Sequence, residues 1–317
     1  MRHVYKPKIS WLLLTALPLL LVPPLGHTQA KKAVSAQSKA DLSLQNKGHY
    51  GGSQAETCKT CHEDVVKQFA TTRHGKADRF QAWGFTQSCS SCHGDVAEHA
   101  DTGDPAKILS PAEMGAAKAS EACVSCHDES GKAFWQGSAH ETSNLTCLSC
   151  HSVHRAKSLE KLLVRRTPNE ACLSCHIDLR KAQFQRSTHL FRDENRNALM
   201  GCTDCHNPHG SQTAKLIKGD SVNDTCYACH TEKRGPFLWQ HSPSQENCLT
   251  CHTPHGSNNT NLLAMRAPQL CQSCHMQGRH QTVAAQPNAA WVFNRACLNC
   301  HSQIHGSNHP SGAILQR

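Results

Sequence analysis

The chain has 317 residues and is only 38% apolar, a share that includes 20 cysteines and a strongly apolar N-terminus. Without those cysteines and residues 1–30, about 84 apolar residues remain in 287 positions, too few to offset chain entropy with side chains alone. The net charge of +9 is spread over scattered lysines and arginines, with no run longer than Arg165-Arg166 or Lys233-Arg234, which argues against a nucleic-acid interface.

Residues 1–30 read as a secretory signal peptide. Arg2, Lys6 and Lys8 precede an apolar stretch at 11–25, which is short for a membrane span and interrupted by Pro18, Pro23 and Pro24. Thr28-Gln29-Ala30 offers a small-residue cleavage site, so the mature chain is expected to start at Lys31. Residues 31–57 carry no apolar period and read as a flexible leader.

From residue 58 to 317 one pattern repeats. Cys-x-x-Cys-His occurs at Cys58-Cys61-His62, Cys89-Cys92-His93, Cys123-Cys126-His127, Cys147-Cys150-His151 and Cys172-Cys175-His176. It continues at Cys202-Cys205-His206, Cys226-Cys229-His230, Cys248-Cys251-His252, Cys271-Cys274-His275 and Cys297-Cys300-His301. The ten motifs use all 20 cysteines, and their starts lie 22 to 34 residues apart, the mark of an array rather than of one centred core. Val and Ile are few, so strands are poorly supported. Short helices are expected on the motifs and at 64–70 and 177–185, and a surface excursion in the longest gap, 94–122.

Cys-x-x-Cys-His is the attachment signature of c-type haem. Thiols at i and i+3 face one side of a helical turn and can add to the two vinyl groups of one haem, while the histidine at i+4 lies over the same face as proximal iron ligand. Zinc ribbons or disulfides would account for the cysteines but not for a histidine after every second one.

The histidines outside the motifs alternate. After odd-numbered motifs the next one is distant, as His74, His140, His189 and His241; after even-numbered motifs it is close, as His99, His154, His209, His255 and His305. His280, five residues past the ninth motif, breaks the rule and completes ten distal candidates for ten haems. His49 and His309 are left over, and His309 could replace His280 or His305. A near histidine points more easily toward a neighbouring haem than toward its own, so the pairing is not readable from spacing. Ten bis-histidine haems would leave no open iron position and give low potentials, favouring electron transfer over catalysis. Haem propionates would also turn the mature chain, with 30 basic and 24 acidic residues once Arg2, Lys6 and Lys8 are removed, slightly acidic.

The residues 221–226 (SVNDTC), 232–236 (EKRGP), 266–271 (RAPQLC) and the ending 301–312 (HSQIHGSNHPSG) are more specific than the haem motifs. Through them the sequence resembles the periplasmic decahaem cytochromes of porin–cytochrome conduits, of the MtrA/MtoA and DmsE type, over roughly residues 56–317. The resemblance implies an elongated multihaem cytochrome c array, mostly irregular chain with short α-helices and almost no β-structure. It also implies a wire of ten bis-histidine haems inside an outer-membrane β-barrel porin of the MtrB/MtoB kind. Electrons would pass between periplasmic or inner-membrane c-type cytochromes and extracellular iron or metal oxides, with an extracellular multihaem cytochrome as a further partner. A soluble periplasmic shuttle, and a multihaem reductase of the nitrite or hydroxylamine type, are the competing functions.

Overall fold

A computed structural model describes residues 54–76, 89–127, 132–189, 200–276 and 297–316. The signal peptide, most of the leader, His49 and His280 lie outside them. Among the described residues the chain is loops and short helices, with isolated β-bridges and no sheet. No helix among them is long and apolar enough to cross a membrane.

Odd and even motifs are built differently. The odd ones sit at or near the end of a longer helix: Ala116–Val124, Pro168–Leu173, Val222–Tyr227 and Ala267–Gln272 each run into the first cysteine of their motif. Two of these helices begin on strong caps, with Thr167 and Ser221 accepting from the N–H of Glu170 and Asp224. Pro168 and Pro268 stand in the first turn, where a missing N–H costs nothing. The first helix, Gln54–Thr71, opens inside the stretch read as leader and carries Cys58 and Cys61, with a break at His62 (φ −116°).

Even motifs occupy a single turn instead, as at Ser90–His93, Cys147–Cys150, Cys202–Cys205, Cys248–Thr250 and Cys297–Asn299. In the fourth, sixth and eighth, the chain leaves the turn, passes the near histidine and folds back as a short return. The bridges His151–Leu163, His206–Ile217 and His252–Leu263 close it. The N–H groups of Val164, Lys218 and Ala264 then donate to the carbonyls of Cys150, Cys205 and Cys251, each at 2.9 Å.

The expected helix at 177–185 is two 3₁₀ turns, Ile177–Leu179 and Lys181–Phe184. The gap 94–122 is largely exposed, as its length suggested, but it is structured rather than open loop. Gly94 turns the chain at φ 71°, Ala97–Thr102 and Pro105–Lys107 are helical, and Leu109 N–H returns to the His93 carbonyl at 3.1 Å. Val96, Ala119 and Ser120 are buried along it.

Side-chain burial is sparse everywhere. The buried apolar residues among those described are Val96, Ala119, Leu162, Leu163, Ala182, Leu262 and Leu315, while Phe184, Leu238 and Met276 stand open. Leu162, Leu262 and Leu315 are left-handed, at φ 50–57°. That conformation costs roughly 1–2 kcal/mol in a residue with a Cβ. Burying a leucine side chain is worth about 1.5–3 kcal/mol, so in these three returns the buried side chain offsets the backbone that carries it.

Candidate haem sites

Each motif winds its three reactive side chains onto one turn. The histidine N–H donates to the carbonyl of its first cysteine at 2.8–3.0 Å in nine motifs, from His93 to His301. All 20 cysteines are described and none is in a disulfide.

The thiols also interact between motifs, in an alternating order. First cysteines meet within successive odd–even pairs. Burial and then Cys58 push the Cys89 thiol up to about 12, burial and then Cys248 push Cys226 up to about 12, and burial and then Cys297 push Cys271 up to about 11. A thiol–thiol hydrogen bond likewise joins Cys123 to Cys147 and Cys172 to Cys202, holding Cys123 and Cys172 protonated. Second cysteines meet across the next boundary, where Cys92 is raised by burial and then by Cys126, and Cys150 by burial and then by Cys175. Burial raises Cys205 and Cys251 too, with Cys229 and Cys274 adding to it. Every motif therefore neighbours the next, and the order in space is the order in sequence.

Histidines meet over longer spans. The rings pair as His62–His99, His93–His154, His127–His74, His151–His209, His176–His140, His206–His255, His230–His189, His252–His305 and His275–His241, with centroids 5.8–6.2 Å apart. Each pair joins one motif histidine to one distal candidate. From the third motif to the ninth, odd motifs meet the far histidine of the motif two before; even motifs from the second to the eighth meet the near histidine of the motif two after. His62 meets His99 from the second motif. His305, taken by His252, is not opposite its own motif; His309 is exposed, with Nδ1 accepting from the Ser311 N–H.

A 6 Å separation is wider than face-to-face stacking of two rings and fits an ion held between two imidazoles. Two metal–nitrogen bonds of about 2.0–2.1 Å, plus the ring behind each nitrogen, span about 6 Å. Among the described residues no group of three or more His, Cys, Asp or Glu gathers around one point. A lone pair of imidazoles is a metal site where a planar macrocycle supplies the other four donors, and two thiols beside each motif histidine are what would attach one.

In most pairs one ring is held through Nδ1 by a backbone carbonyl. On the even side it is the motif histidine: His93 with Leu109 (2.7 Å), His151 with Lys161 (2.7 Å), His206 with Lys215 (2.8 Å), His252 with Asn261 (2.8 Å) and His301 with Ile314 (2.6 Å). On the odd side it is the distal one: His99 with Asp104 (2.9 Å), His140 with Pro208 (2.9 Å) and His189 with Pro254 (2.8 Å). With Nδ1 as donor, Nε2 is the lone-pair nitrogen available to a metal. Burial pushes His74, His154, His209, His241, His252, His255 and His305 below the ordinary imidazole value, His209 and His305 to about 4, so these rings are neutral at neutral pH.

Two positioning features went unread in the sequence. His-Gly-Ser recurs at 209–211, 255–257 and 305–307, and a Cβ on Gly210, Gly256 or Gly306 would overlap Phe134, Ala182 or Phe237. Beside the second and third, Ser257 and Ser307 pair reciprocally with Ser187 and Trp239, each two residues before a far histidine. The recurrence was a usable signal. The left-handed leucines of the returns left none.

The family described as Doubled CXXCH motif matches residues 196–235 and 241–280, and the Cytochrome c-type protein NrfB-like family matches 89–166. Together with the fold and the ten attachment turns, these define a multihaem c-type cytochrome, a protein of electron transport. The chain is 38% identical to multiheme cytochrome MtrA of Shewanella baltica (strain OS185), across 100% of its own length and 98% of that protein. It belongs to the MtrA family of multihaem cytochromes. The undecaheme cytochrome from the S-layer of Carboxydothermus ferrireducens aligns with 74% of this chain and 33% of its own, at 18% identity and a TM-score of 0.13, and carries no argument.

Proposed function

We propose that the chain binds ten haem c groups, each between two histidines, and carries electrons across the outer membrane inside a β-barrel porin of the MtrB/MtoB kind. Cys58 to Cys300 supply the thioethers. The nine histidine pairs named above are the axial sets of the first nine sites, and His301 takes His280 as its partner. Residues 1–30 act as the export signal, residues 31–57 precede the array, and the protein works in the periplasm at the outer membrane.

The observation that carries this reading is the unbroken neighbour order of the cysteines. A conduit needs every centre beside the next, and from the first motif to the tenth the thiols of each motif act electrostatically on those of the next. Bound haem supplies one-electron iron chemistry. The chain's own histidines would hold each haem from two sides, with backbone carbonyls fixing ring tautomers in most pairs. Among the described residues the chain offers no apolar span to the lipid, and the barrel takes that role. Electrons enter from periplasmic or inner-membrane c-type cytochromes and leave to extracellular iron or metal oxides, directly or through an extracellular multihaem cytochrome, or run the reverse course in Fe(II) oxidation.

Liposomes that enclose a reduced dye, carrying the cytochrome with its barrel, are expected to reduce an external ferric acceptor only when both proteins are present. Transfer without the barrel, or none with it, overturns the conduit and leaves a periplasmic shuttle. EPR of the oxidised protein is expected to show low-spin iron throughout, whereas a high-spin haem in the native chain points to a reductase.

A further inference from the structure

In four even motifs one backbone device repeats. The carbonyls of Lys161, Lys215, Asn261 and Ile314 accept from the Nδ1 of His151, His206, His252 and His301 at 2.6–2.8 Å. The next residue each time is a left-handed leucine, Leu162, Leu216, Leu262 and Leu315, at φ 50–57°; in the sixth and eighth motifs the accepting residue, Lys215 or Asn261, is left-handed as well, at φ 61° and 55°. Its own carbonyl accepts a backbone N–H just past the motif, from Ser152, Asn207, Thr253 and Gln303, at 2.7–3.0 Å. In an extended strand successive carbonyls point to opposite sides, so two in a row cannot both reach the motif. The left-handed residue turns the second carbonyl to the side of the first, and the first is then aimed at the imidazole. Leucine is an unusual residue for that conformation, and backbone held there gathers at ligand clamps. The second motif makes the same ring contact without the device, since Ser110, the residue after the accepting Leu109, is not left-handed.

We propose that Leu162, Leu216, Leu262 and Leu315 are positioning residues that set the reduction potentials of the haems on the fourth, sixth, eighth and tenth motifs. The proposal rests on the haem sites of the proposed function. A carbonyl on Nδ1–H makes the imidazole a stronger donor, which favours ferric iron and lowers the potential. The backbone twist at the leucine keeps that carbonyl in place, so the sequence tunes these irons from a residue that is not itself a haem ligand.

The test is at Leu262, with two variants in the full haem-loaded chain. Leu262→Val keeps an apolar side chain but is strongly disfavoured at positive φ; Leu262→Gly removes the side chain and accepts that backbone freely. Optical redox titration against the unaltered protein is expected to move one haem's share of the amplitude upward in Leu262→Val and to leave it in place in Leu262→Gly. A tenfold loss of ferric preference corresponds to about 59 mV. Equal shifts in both variants, or none in either, overturn the proposal. Should Leu262→Val fail to fold, the same pair at Leu216, which is less buried, decides it. Haem content measured on the unaltered chain and on each variant separates the two readings: an unaltered chain lacking haem at the eighth motif contradicts the proposed function, and a full complement with unmoved potential contradicts only this inference.

Discussion

The three His-Gly-Ser turns show how little room a paired histidine has. A Cβ on Gly256 would strike the Ala182 carbonyl oxygen and the Gln185 side chain, and the turn carries His255 on one side and Ser257, paired with Ser187, on the other. Gly256→Ala is expected to destabilise the protein by about 1–3 kcal/mol and to shift His255 away from His206, read as a lower melting temperature with a new high-spin signal. Acid should act on neighbouring residues of the same kind. His209 and His305 are held at about 4, first by burial, against an ordinary value near 6.5. A folded value below the unfolded one favours the neutral ring, so this contribution is complete above about pH 6.5 and is lost as pH falls toward 4. Low-spin absorption followed during acid titration is expected to decay across that window, and a protein equally stable at both ends would contradict it. At this scale the sequence displays residue types but not their reasons. The ten attachment turns are legible because three side chains on one turn have one chemistry, whereas Gly256 is required by the Ala182 carbonyl, which reaches it from the 3₁₀ turn Lys181–Phe184 ahead of another motif's far histidine.

Between elements, polar side chains hold the odd motifs to the even ones. Asn223 lies in the helix Val222–Tyr227, three residues before Cys226; its amide donates to the carbonyls of Gln245 (3.0 Å) and Ser244 (3.3 Å), and its oxygen accepts from Cys248 N–H (2.8 Å). Asn169 repeats the last contact one unit earlier, accepting from Cys202 N–H at 3.0 Å. Because Asn223 is buried, Asn223→Ala leaves three backbone groups without their partner, and an unmatched buried polar group costs about 1–3 kcal/mol. Thermal unfolding followed by circular dichroism is expected to lose several degrees, while Asn223→Asp, which keeps the acceptor but not the donor, falls between. The helices themselves were partly legible. Thr167-Pro168-Asn169-Glu170 announces a helix start, and Pro168–Leu173 begins there. The stretch 177–185 lacks such a stop-and-start signal, and it forms two tight turns rather than one helix.

Across the whole array, the shortage of apolar residues in the composition returns as a core of seven buried apolar side chains among the described residues. Side chains on that scale cannot order the chain, so haem attachment and folding should be one event. Chain exported without haem maturation is expected to elute as an expanded, protease-sensitive polypeptide, and a compact apoprotein would refute this. The histidine pairing makes the sharper demand, one that spacing alone left open. If His305 serves the eighth motif rather than its own, His305→Ala opens an axial position on a haem about fifty residues upstream in sequence. One high-spin haem is expected in that variant, able to bind carbon monoxide when reduced. Adding Cys248→Ala and Cys251→Ala, which removes the eighth haem, should abolish the new signal; adding Cys297→Ala and Cys300→Ala, which removes the tenth, should leave it. The opposite result would mean that each near histidine serves its own motif. Cross-motif pairing has a physical purpose that local pairing lacks: in the eight pairs from the second motif to the ninth, an iron held between the two rings would tie together chain segments two motifs apart, so the centres that carry electrons would also be the cross-links that hold their spacing.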